Sequence, residues 1–203
     1  MPGLLELPPV TLFFLALNVA LGAYSLLVNP EVIGRFAFRP YRVKHDGEWS
    51  RWITAGVVHV GLAHLAFNMV TLYFFGPYVE AAVGSARFLA VYVGSELAAN
   101  ALTYLKYRDN PAYSAVGASG AISGVLFAFC LFAPFQMLYV FFAIPMPAIA
   151  FAVLYVALSV YASRREIGRV AHEAHLGGAI GGLALTLLLY PASLGIFLGQ
   201  VGL

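Results

Sequence analysis

"SAVGASGAISG", Ser114–Gly124, stands where a polar run, "KYRDNPAYS", gives way to an apolar one. It sets a hydroxyl, Ser119, between small residues at the threshold of a segment long enough to cross a bilayer. A lipid-facing helix has no use for such a residue there. The reading of this stretch therefore depends on what the rest of the chain brings to the same depth.

Composition fixes the surroundings. Of the 203 residues 62% are hydrophobic and 10% charged, with a mean hydropathy of +0.86, whereas a soluble domain carries about 25% charged residues. The chain is expected to be an all-α membrane protein. A helix needs about 20 apolar residues to span the hydrocarbon, because every backbone polar group must be satisfied within it. Six stretches qualify, at roughly 10–29, 55–76, 86–105, 115–134, 137–161 and 174–190, giving a six-transmembrane-helix bundle in a single domain over 1–203. The N-terminal "MPGLLELPPV" lacks a basic segment ahead of its apolar run, so the first stretch is expected to remain as a span rather than to be cleaved. The single cysteine, Cys130, lies inside the fourth stretch and is read as packing. A net charge of +2 gives no footing for nucleic acid. The loop Pro30–Trp52, in which Phe36, Phe38, Tyr41, Trp49 and Trp52 alternate with Arg and Lys, suits the lipid interface, and the bilayer is the first expected partner.

Span parity adds a constraint that no single motif supplies. The starts of spans two, four and six must face the same side, and they carry His59 and His64, then Ser119, then His172 and His175. Each residue alone is most simply structural: a lone serine or glycine packs, and an interfacial histidine is tolerated. Together, four of the five histidines and a glycine-flanked serine share one depth on one side, and ionisable groups inside a membrane mark function by default.

Serine becomes a nucleophile when a base within hydrogen-bond reach takes its proton, and imidazole has a suitable pKa. Ser119 and His175 are the pair. Gly120 and Gly124 form a small-residue face on span four, and Gly177, Gly178, Gly181 and Gly182 form one on span six, so the two helices can approach closely. Acyl transfer also needs donors for the oxyanion. "HLAFN" offers His64 and Asn68, four residues apart on one helix face, and a helix starting near Ser119 would add backbone N–H groups. Asp46, Glu48, Asp109 and Glu173 are assigned to loops or an interface and Glu80 to the opposite side, so a dyad is expected rather than a triad. Ser119 lies five residues past Ser114, about 8 Å if that segment is helical, and hydrolysis would require water below the interface. No metal and no cofactor is expected.

At this point the chain resembles the rhomboid family of intramembrane serine proteases. "HVGLAHLAFN", "GASG", "AHLGGAIGG" and the six-span layout occur in the family's order, over about Trp49 to Leu183. The resemblance implies Ser119 as nucleophile, His175 as general base, and His64, Asn68 and the Ser119 N–H as oxyanion donors. Gly117 would shape the approach, with Gly120, His59 and Ser123 also shaping the site. It implies that the Arg51 loop lies partly in the membrane, that Glu80 braces the structure, and that transmembrane proteins are the substrates. Two positions depart from the pattern: Ser50 separates Trp49 from Arg51, and Ser123 stands where an aromatic is common, leaving His175 without a ring from span four.

Orientation draws two opposed expectations. Ten of the eleven basic residues, all but Arg87, fall on the side of the site, so the positive-inside rule puts that side in the cytoplasm. The resemblance puts the site on the extracytoplasmic side of a multi-pass protein of the cell membrane, and that reading is preferred. Two other functions are weighed: a catalytically inactive rhomboid-like protein that binds membrane helices, against which stands the intact Ser119 and His175 pair, and a transporter, for which only Glu96 and Asn100 speak.

Overall fold

The computed structural model describes residues 6–140, 143–165 and 171–203. The first five residues of the N-terminal stretch and the whole "EIGRV" connection, Arg169 included, thus lie outside the described residues. The chain is a multi-pass helical membrane protein. α1 (Pro9–Leu27), α5 (Leu62–Val83) and α6 (Ser85–Tyr107) are each long and apolar enough to cross a bilayer, and α7 (Ser119–Phe132), α8 (Ala148–Arg165) and α9 (His172–Leu189) complete a six-helix bundle. The loop after α1 folds into three short helices, α2 (Glu31–Phe36), α3 (Pro40–Asp46) and α4 (Arg51–Thr54), followed by a 3-10 turn at Ala55–Val57.

Three elements differ from the sequence expectation. The fifth span starts at Ala148 and not at 137, because Met137–Val140 (β1) and Ile144–Pro147 (β2) pair as an antiparallel hairpin, with Met137 opposite Pro147 and Val140 opposite Ile144. Pro145 and Pro147 have no N–H to give a helix, and each holds its predecessor extended. Beyond α9, Pro191 starts a further helix, α10 (Ala192–Val201), bent by 108° from α9. The fourth span is shorter than expected: Ser114–Ala118 is not helical, Ala115 exchanges backbone hydrogen bonds of 2.8 and 3.0 Å with Phe38, and the Gly117 N–H reaches the Ala55 carbonyl at 2.9 Å.

That last difference sets where α7 begins. The 14 residues of α7 rise about 21 Å, roughly 9 Å less than the hydrocarbon thickness. Ser119 is therefore reached through a non-helical segment tied to Phe38 and Ala55, and not through the continuous helix that the figure of about 8 Å assumes.

Two buried charges hold the frame. Glu80, near the end of α5, is 2% exposed and accepts from the N–H of Val10 at 3.0 Å, the N–H and hydroxyl of Thr11 at 2.7 Å each, and the Ser85 hydroxyl at 2.7 Å. α1 starts at Pro9 without a side-chain cap of its own, so the carboxylate satisfies its orphan N–H groups and meets the positive end of its dipole. Arg51 does the same for the loop: its guanidinium donates to the carbonyls of Ala37 at 2.6 Å and Gly34 at 3.2 Å and pairs with Glu48. A fork of five donors can tie three loop segments where a lysine could not. Trp49 and Ile53 next to it are exposed, as residues at a lipid interface are.

Two outcomes follow for stability in detergent. Glu80→Ala strands four donors and lowers stability by roughly 3 kcal/mol or more, with Glu80→Gln intermediate, both read by thermal unfolding. The guanidinium beside Glu48 holds its carboxyl below the usual range. The folded state favours the ionised form, so this contribution is present above the carboxyl's unfolded pKa of about 4.3 and is lost as pH falls through the lower folded value. The melting temperature drops less between pH 5 and 3 in Glu48→Gln than in the parent.

Candidate active site

The three even-numbered starts meet. Ser119 is the first residue of α7, and its Oγ lies 2.8 Å from Nε2 of His175, which projects from the first turn of α9. The approach is set by glycines. A methyl group added at Gly178 would lie 2.7 Å from the carbonyl carbon of Gly120, and one at Gly182 would meet the backbone of Gly124 at 2.5 Å. α7 and α9 are thus in backbone contact along two turns. α6 closes the third side, with the Ala98 carbonyl 2.7 Å from where a Cβ of Gly177 would be.

α7 offers donors at the same point. Its first turned bond runs from Ile122 N–H to the Ala118 carbonyl at 3.0 Å, and the Ala121 N–H goes to Glu96 Oε2 at 3.2 Å. The N–H groups of Ser119 and Gly120 precede these and have no intrahelical acceptor. His64 and Asn68 project from the first two turns of α5 beside Ser119, lining the same groove. Asn68 is 3% exposed, yet its Nδ2 has no partner, and neither does Nδ1 of His64. Gly117, at φ +120, lets the chain pass under the His64 ring: a Cβ there would sit 3.0 Å from Nε2 in a conformation that other residues rarely adopt. His59 is fully buried behind it, ring edge to ring face with His64 at 5.1 Å, with both nitrogens unpartnered.

Ser123 is brought near but not into the pair. Its hydroxyl donates to the Ser119 carbonyl at 2.7 Å and lies 2.6 Å from the Tyr155 hydroxyl. No carboxylate is hydrogen-bonded to His175 among the described residues. Glu173 turns away to Lys106 and to the Tyr107 hydroxyl at 3.2 Å. Glu96 and Asn100, the two residues that spoke for a transporter, bond to each other and to the neighbouring backbone: Asn100 Nδ2 donates to Glu96 Oε1 at 3.2 Å and to the Trp52 carbonyl at 2.9 Å. They line a pocket of about 20 Å³ behind Ser119, room for one water. Cys130 is buried, as expected, its thiol 3.5 Å from the Ala148 carbonyl.

In front of the pair lies a groove of about 1910 Å³, walled by α5 (His64, Phe67, Thr71, Phe74) on one side and α8 (Phe151, Leu154, Leu158) on the other, with α7 as its floor. A helix of 14 residues and 10 Å diameter occupies about 1600 Å³. The groove is thus of the order of size of a short helical segment.

The rhomboid domain model matches residues 46–192. The chain belongs to the rhomboid family. It is 41% identical over 130 residues to the YdcA protein of Bacillus subtilis, covering 63% of this chain and 64% of the relative. It is 30% identical over 184 residues to the rhomboid protease GluP of Bacillus subtilis, covering 86% and 34% of the two. The rhomboid protease AarA of Providencia stuartii is 30% identical over 134 residues, 57% and 48%. The aligned part of this rhomboid spans between a third and two thirds of those relatives' own lengths.

The glycine seam of this rhomboid gives a direct test. Gly178→Ala and Gly182→Ala must push α9 off α7, and overpacking of this kind costs about 1–3 kcal/mol. Both lower the melting temperature in detergent; an unchanged value in both would mean that the helices are not in backbone contact.

Proposed function

We propose that this rhomboid is an intramembrane serine protease that cleaves transmembrane-helix substrates through a Ser119–His175 dyad. The observation that carries the reading is the 2.8 Å Oγ to Nε2 hydrogen bond at the floor of the groove between α5 and α8. His175, with Nε2 as acceptor, takes the Ser119 proton as Oγ attacks the scissile carbonyl, then returns it to the leaving amine; water, with the same base, releases the acyl group. The charge on the tetrahedral oxygen is met by Asn68 Nδ2, His64 and the N–H groups at the start of α7. Asn68 Nδ2 and His64 Nδ1 have no partner in the structure, and such preorganised dipoles need no rearrangement when charge develops.

Substrate reaches the dyad between α5 and α8. A peptide bond inside a helix is shielded by its own hydrogen bonds, so the segment has to unwind at the site. Glycine or other weak helix formers near the scissile bond lower that cost by about 1 kcal/mol each. The whole chain acts as one membrane domain. The site side is extracytoplasmic and the membrane is the cell membrane. This reading keeps the basic residues of that side at the interface, where Arg42 meets Glu48 at 3.4 Å and Lys44 meets Asp109 at 2.5 Å.

A fluorophosphonate probe labels the purified protein, and labelling is lost in Ser119→Ala and in His175→Ala. Asn68→Ala keeps the fold and lowers kcat for a transmembrane substrate by about 10²–10³. Labelling that persists in Ser119→Ala would overturn the assignment. A folded parent that neither labels nor cleaves would favour the non-catalytic, helix-binding reading.

A further inference from the structure

The sequence lacks an aromatic one turn after Ser119, and the position is Ser123. The space is filled from another helix. The ring of Tyr155, on α8, lies nearly parallel to the His175 imidazole, at 25° and 6.1 Å between centroids. Its hydroxyl is 2.6 Å from Ser123 Oγ. The Ser123 proton is already given to the Ser119 carbonyl, and a hydroxyl has one proton to give, so Tyr155 is the donor. Phe127 and Phe151 hold the ring from two further sides, each at 5.6 Å.

We infer that Tyr155 is the positioning residue for the catalytic imidazole, and that Ser123 is its anchor rather than a spare nucleophile. This rests on the dyad reading above. The chain Tyr155 hydroxyl, Ser123 hydroxyl, Ser119 carbonyl fixes the tyrosine to the residue that bears the nucleophile, while the tyrosine ring faces the base. Serine and histidine are thereby referenced to the same side chain. α8 also forms one wall of the groove. The orientation of the base is therefore tied to the helix that a substrate passes on its way to the site. An aromatic on α7 itself would have left the base independent of that wall.

The test compares Tyr155→Phe, Tyr155→Ala and the double variant Ser123→Tyr/Tyr155→Ala, which returns the ring to α7. Two readouts are used: the rate of labelling by a small fluorophosphonate, and kcat and KM for a transmembrane substrate. Positioning predicts that Tyr155→Ala slows labelling and kcat by about tenfold or more, since misplacing a reacting group by an ångström costs up to 10²-fold. KM stays within about twofold of the parent, as expected when an interaction made only in the transition state is lost. Tyr155→Phe, which keeps the ring, remains within about threefold of the parent, and the double variant recovers most of the lost rate. The inference is overturned if Tyr155→Ala labels at the parental rate and changes only KM, which is the behaviour of a groove-lining residue. A parent that is never labelled removes the protease reading instead, and the positioning role falls with it.

Discussion

Everything at the site depends on the contact of two helix backbones. In lipid there is no hydrophobic force to press helices together, so their association rests on close packing and on the few hydrogen bonds that cross between them. Gly178 and Gly182 on α9 bring its backbone against that of Gly120 and Gly124 on α7. Only then can an imidazole from the first turn of one helix reach a hydroxyl at the first residue of the other. α6 completes the arrangement: Gly124 also makes room for Ser95, and the Glu96 carboxylate reaches under α7 to the Ala121 N–H.

Buried polar groups divide into two kinds. Glu80 and Arg51 are each met on several sides and serve the frame, Glu80 joining α1 to α5 and Arg51 closing the loop above the site. Beside the serine the pattern changes. Of the ten buried side-chain polar atoms without a partner among the described residues, four belong to His59, His64 and Asn68. An unsatisfied donor under lipid is costly. The three side chains that carry these four atoms stand together next to Ser119.

Much of this was legible in the sequence because parity is a strong constraint. Once six spans were counted, Ser119, His64 and His175 had to share a side, and the small-residue faces of spans four and six said that those helices could touch. The hairpin was hidden because "MLYV" and "IPMP" are as apolar as a span, and only Pro145 and Pro147 argued against a helix. The late start of α7 was hidden because the pairing of Ala115 with Phe38 is a contact between residues 77 apart, which no local pattern announces. Tyr155 was missed for the same reason. The sequence showed that span four had lost a ring at Ser123, but nothing in it said that another helix restores one.

The central claim is that Ser119 attacks while His175 takes its proton and Asn68 receives the charge. A crystal structure of the protein reacted with a fluorophosphonate tests this most directly. The account predicts phosphorus bonded to Ser119 Oγ, with one phosphoryl oxygen within about 3 Å of Asn68 Nδ2 and of the N–H groups that open α7. Phosphorus on Ser123, or an adduct on Ser119 whose phosphoryl oxygen points away from α5 into the groove, would contradict it.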